Sequence, residues 1–118
     1  MNHYRIAVAT NGNKGLEDVV SNVFGRAKTF TILDVIDEKI DGMTVLENPG
    51  ASYKYGAGPI VAKMLLDKGV DVVLAHVLGF GAAGLLNQHS IKYIAIKPKM
   101  KVGEAIREVI QRIKEEST

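Results

Sequence analysis

The residues in this sequence whose types could do chemistry are three histidines, one glycine run and a set of basic side chains. His76 ends an apolar run and is followed by Gly79 and Gly81. Imidazole is a good ligand for iron, copper or zinc, which makes His76 a candidate metal ligand. His89 cannot share a metal with it, because a helix of about ten residues, ~15 Å long, separates the two. His3 precedes the first strand and belongs to the same far edge as His89. Each histidine stands alone, which disfavours a mononuclear metal enzyme needing three or four protein ligands. Cysteine is absent. That excludes disulfides, thiolate nucleophiles, cysteine-ligated zinc and self-ligated iron–sulfur clusters.

Gly79-Phe80-Gly81-Ala82-Ala83-Gly84 matches the G-x-G-x-x-G dinucleotide fingerprint in letters. It follows the fourth strand rather than the first, and Lys97, not an acid, ends the fifth. The plainer reading is that small residues let this helix approach the sheet and an incoming ligand. Nuclease chemistry needs clustered carboxylates around two metals. The first strand, Tyr4 to Thr10, carries none. Ser21 and Ser90 have no identifiable base, so no Ser-His-Asp arrangement can be argued.

These residues must be positioned by elements legible in the hydrophobic pattern. Tyr4 to Thr10, Thr29 to Ile36 and Ile40 to Asn48 read as strands, with Asp37-Glu38-Lys39 as a hairpin break. Gly58 to Lys68 reads as a helix with Pro59 at its first position and Gly69 as its stop. Val70 to Ala75 is a strand covered on both faces, Gly79 to Gln88 a second helix, and Ile91 to Ile96 a fifth strand. Val102, Ala105, Ile106, Val109, Ile110 and Ile113 keep helical spacing. The order β-β-β-α-β-α-β-α predicts an α/β fold with a mixed sheet between helices. It resembles the ribonuclease-H-like motif, a three-layer α/β/α arrangement of five strands in order 3-2-1-4-5 with strand 2 antiparallel.

In that topology the exits of strands 1, 3, 4 and 5 share one edge with the entry to strand 2. Open α/β sheets bind ligands at such an edge, near a switch in strand order. Lys14, Arg26, Lys28, Lys54, Lys97, Lys99 and Lys101 fall there, against Glu17, Asp18 and Glu47. Three helix starts also aim free N–H groups at it. An anionic ligand is therefore expected. The candidate contacts are Asn11, Gly12, Arg26, Tyr53, Lys54, Gly79, Gly81 and Lys97, with His76 as the metal ligand. Tyr53-Lys54-Tyr55-Gly56 is expected to be a mobile lid.

At 118 residues the chain is expected to be one domain, 1–118. A net charge of +2 is too mild to demand nucleic acid. No apolar run reaches the ~18–20 residues of a membrane span, and no signal-peptide pattern opens the chain. A cytoplasmic protein without nucleic-acid or membrane partners is expected.

Several elements in order resemble the dinitrogenase iron–molybdenum cofactor biosynthesis family. They are Ile6 to Thr10, Gly15-Leu16, Ser21-x-x-Phe24-Gly25-Arg26-Ala27, Val45 to Pro49, Gly56-Ala57-Gly58 and Lys68 to Val73. The resemblance spans roughly residues 4–113. It implies a ribonuclease-H-like fold and a non-enzymatic carrier. Its cargo would be an iron–molybdenum or related metal–sulfur cluster, and its partners cluster donor or acceptor proteins. Membership does not imply a role in nitrogen fixation. The alternative is a regulatory or enzymatic domain that binds a nucleotide or phosphate at the same edge.

Overall fold

The computed structural model describes residues 3–116. Its strands are β1 (His3–Thr10), β2 (Thr29–Ile36), β3 (Lys39–Glu47), β4 (Val72–Ala75) and β5 (Lys92–Ala95). Its helices are α1 (Ala57–Asp67), α2 (Phe80–Gln88) and α3 (Val102–Glu116). The strands form one sheet in the order β3-β2-β1-β4-β5. β2 is antiparallel to β1 and β3, while β4 runs parallel to β1 and β5 parallel to β4. This is the α/β/α topology expected from the sequence.

Alternation along the two central strands builds both cores. Ile6 and Val8 of β1, with Val72 and Leu74 of β4, join Val102, Ala105, Ile106 and Val109 of α3. The intervening residues Ala7, Ala9, Val73 and Ala75 join Val61, Ala62 and Leu65 of α1 and Ala82 and Leu86 of α2. Three of those four strand residues are alanines. The α1–α2 layer can therefore lie close to the sheet, which matters for the site above it.

Element ends differ from the sequence reading by one or two residues. β4 starts at Val72, and α1 starts at Ala57, so Pro59 takes the third helical position rather than the first. Its missing N–H still falls in the first turn, where no intrahelical acceptor exists. The β2–β3 turn places Asp37 and Glu38 at φ 49° and 70°. Two left-handed residues match the twist of the flanking strands, at a cost of about 1–2 kcal/mol each for non-glycine residues. The β2–β3 ladder, paired from Thr29↔Glu47 to Ile36↔Lys39, holds them there.

The β1–β2 connection is more ordered than its composition suggests. The Asp18 carboxylate is buried and accepts from the backbone N–H of Lys14 at 3.0 Å and of Val19 at 2.8 Å. Ser21 N–H donates to Ala9 at 2.8 Å, and Val20 N–H to Met100 at 2.9 Å. Val20 is thereby fixed as a fully buried member of the α3-side core.

At the opposite sheet edge, Arg5 ties three elements. Its Nε donates to Asp34 Oδ1 at 2.8 Å, its guanidinium to the Lys68 carbonyl at 2.6 Å, and its backbone N–H to Asp71 at 2.8 Å. His3 Nε2 lies 3.6 Å from the same Asp34 oxygen. The Arg5 hydrogen bond, opposed in part by desolvation, holds the Asp34 carboxyl below its ordinary range. A depressed folded-state value stabilises fully above the unfolded value of about 3.9 and is lost as pH falls through the lower folded value. Asp34→Asn should therefore be less stable than wild type at pH 7, with the gap narrowing as pH drops below about 4. Urea midpoints measured from pH 7 to pH 2 check this; a gap that stays constant across that range would contradict it.

Candidate functional site

A cleft of about 470 Å3 opens at the edge where β1 and β4 end. One wall is the turn Asn22–Arg26, the second runs from Lys54 to Gly58 at the start of α1, and the third is Val77 and Gly79 beyond β4. Glycine brings these walls together. A Cβ on Gly25 would lie 2.6 Å from the Gly58 nitrogen and 2.9 Å from its Cα. A Cβ on Gly81 would meet Pro59 Cγ at 2.8 Å, so the first turns of α1 and α2 also touch. Phe24 anchors the first wall, buried with its ring edge-on to Phe30 at 5.4 Å between centroids.

The converging groups favour negative charge. The N-caps of α1 and α2, Gly56 and Gly79, supply no side-chain hydrogen bond to their helices, and both line the cleft. The leading N–H groups of two helices are left to solvent or ligand, at the positive ends of both helix dipoles. Arg26 and Lys54 are the charged side chains of the lining, and no carboxylate accompanies them. Neither is paired with an acid among the described residues. The remainder is apolar or backbone, and the mouth carries exposed Val23, Tyr55 and Val77. Phe80, the next residue after Gly79, is 100% exposed.

Of the residues singled out from the sequence, Arg26, Lys54 and Gly79 line this cleft. Gly81 sits behind it, and its small size serves the contact with α1 rather than an approach to the sheet. Tyr53 lies just before the second wall, with its N–H closing a 3-10 turn onto Gly50 at 3.1 Å. Asn11 is exposed on the loop after β1, and Gly12 lines a separate depression with Lys28 and Glu47. Lys97 lines a third, beside Glu108 and Arg112. Lys101 is committed to Glu17 at 2.9 Å.

His76 is exposed and directly follows β4. Its carbonyl accepts from the Tyr93 hydroxyl at 2.9 Å, which fixes the start of the third wall. Burial raises the Tyr93 pKa, so the hydroxyl keeps its proton and donates. His89 caps the far end of α2, and His3 is beside Asp34. Among the described residues no group of three or more His, Cys, Asp or Glu could hold a metal ion. The same residues contain no helix long and apolar enough to cross a membrane.

Among the other lining residues, Val23, Gly25, Tyr55, Ala57 and Val77 were not singled out as ligand contacts. The sequence signal for two of them was present in Phe24-Gly25-Arg26 and Gly56-Ala57-Gly58, which carry glycine where chains must touch.

The family model described as dinitrogenase iron-molybdenum cofactor matches residues 3–112. The chain belongs to this family. Among solved structures, the apo form of the orange protein from Desulfovibrio gigas is 28% identical, with a TM-score of 0.76 over 95% of this chain and 88% of that one. A NifB-like protein of the DUF35 family from Thermotoga is 30% identical, with a TM-score of 0.74 over 92% and 88%. A dinitrogenase-like protein from Methanocaldococcus jannaschii, 14% identical with a TM-score of 0.69 over 95% and 92%, shares the fold. No curated protein matches this family member.

The wall contacts make a sharp contrast between two substitutions. Gly25→Ala forces backbone apart at Gly58 and should cost roughly 2 kcal/mol, as overpacking does. Phe80→Ser removes a fully exposed ring and should change stability by less than about 0.5 kcal/mol. Chemical denaturation of both variants checks this, and equal midpoints for the two would refute the close contact.

Proposed function

We propose that this protein is a non-enzymatic carrier that holds an anionic metal–sulfur cluster, an iron–molybdenum species or a relative of it, in the cleft. The observation that carries the reading is the convergence of two uncapped helix N-termini with two unpaired cations and no carboxylate. Family membership supplies the class of cargo. A cluster that brings its own sulfide needs few protein donors. It needs N–H groups and cations around its negative periphery, close backbone approach, and an apolar surface that tolerates soft sulfur. Arg26 and Lys54 provide the charge, and Gly56, Gly58 and Gly79 the close approach. Tyr53 leads into the Lys54 wall and Gly81 keeps the two helix starts together, while Asn11, Gly12 and Lys97 lie outside the cleft, elsewhere on the same sheet edge.

His76 is the imidazole nearest in sequence to the third wall and the side chain suited to a direct bond to metal. The exposed Val23, Tyr55, Val77 and Phe80 would be covered by the protein that delivers or receives the cluster. Tyr53 to Gly56 acts as the lid over the bound cargo.

Anaerobic titration with isolated iron–molybdenum cofactor, beside a panel of nucleotides and inorganic phosphate, tests this reading. Cofactor binding with metal-centred absorption bands is expected, weakening as salt is raised because both cations are exposed. Arg26→Ala should weaken it roughly tenfold, the loss typical of a charge-assisted contact. His76→Ala should weaken it too, while His3→Ala and His89→Ala leave it unchanged. Binding of a nucleotide with no cofactor binding would replace this reading with an anion-binding regulatory or enzymatic domain.

A further inference from the structure

Asn48 does not line the cleft, yet it bonds both to the turn that forms the first wall and to the 3-10 turn that leads into the second. It is buried at the end of β3. Its Nδ2 donates to the Gly25 carbonyl at 2.9 Å and to the Ala27 carbonyl at 2.7 Å. Its Oδ1 accepts from Gly50 N–H at 2.9 Å, capping the 3-10 turn Pro49–Ser52 that leads to the second wall. Both donors of the carboxamide are thus spent on the turn carrying Phe24, Gly25 and Arg26. Its acceptor is spent on the segment leading to Lys54 and α1.

We infer that Asn48 is the positioning residue of the cleft: it sets the separation of the Arg26 wall from the Lys54 wall, and so the spacing of the two cations. This rests on the cleft being the ligand site proposed above. The surrounding backbone leaves little slack. A Cβ on Gly50 would lie 2.8 Å from the same Gly25 carbonyl, and Gly25 presses directly on Gly58. No other side chain meets the requirement. Aspartate has the shape but donates nothing, and it turns a carboxylate toward two carbonyls. Glutamine is one methylene longer. The sheet itself does not depend on the Asn48 side chain: the β2–β3 ladder is paired through Thr29↔Glu47, and Asn48 adds to it only its backbone N–H, donated to the Lys28 carbonyl at 3.2 Å. Its loss should therefore act on the cleft beyond any general loss of stability.

Asn48→Asp tests this, with Val109→Ala as a control that opens the core on the other face of the sheet. Two readouts are taken: hydrogen exchange of the free proteins, and anaerobic affinity for tetrathiomolybdate as a small metal–sulfur anion. Asn48→Asp should exchange faster at residues 25–27 and 50–58 and bind about tenfold more weakly, as a misplaced binding constellation does. Val109→Ala should keep both at wild-type values for a comparable loss of melting temperature. Should Asn48→Asp fail to fold, Asn48→Ser, which adds no charge, takes its place. Wild-type exchange at both segments, or affinity reduced no further than in the control, overturns the inference. If wild type itself does not bind tetrathiomolybdate, the ligand reading loses support, and hydrogen exchange alone decides whether Asn48 holds the walls.

Discussion

The contact of Gly25 with the first turn of α1 is the constraint on which the rest of the site depends. Backbone meets backbone there with no room for a Cβ on Gly25. The approach continues through Pro59 and Gly81 into α2, so two helix starts are drawn to one point. Beneath them, the small faces of Ala7, Ala9 and Ala75 let the helical layer sit low on the sheet. Larger residues at any of these positions would separate the N-termini and dissolve the cleft between them.

Charge is distributed unequally between the two ends of the sheet. At the end where β1 begins, Arg5, Asp34, Asp71 and His3 satisfy one another. At the end where β1 stops, Lys101 is matched by Glu17, but Arg26 and Lys54 face the cleft without acids. Unpaired cations beside uncapped helix starts do little for folding, because nothing in the chain compensates them.

Much of this was legible in the residue pattern. Helical spacing from Val102 to Ile113 announced α3, and the apolar run ending at Ala75 announced a doubly covered strand. Strand count, order and direction then placed the exits of β1 and β4 and the entry to β2 at one edge, since a crossover topology leaves few arrangements. The motif around Phe24-Gly25-Arg26 pointed to the family to which the chain belongs. Local periodicity dictates such features, because each side chain's face is set by its own few neighbours in sequence.

Only the tertiary structure decided which of the edge residues share a cleft. Lys97 and Arg26 look alike in the sequence, both basic and both beside strand ends, yet they line different depressions. Gly81 reads as part of a dinucleotide fingerprint, and packing turns it into a seat for Pro59. Asn48 reads as a strand stop, and its amide proves to span two segments more than twenty residues apart in the chain. The sequence by itself determined the fold, the family and the sheet edge at which basic residues and helix starts gather. Distances between side chains on different loops depend on how several backbones pack at once. That packing is a property of the folded whole, and no local pattern encodes it.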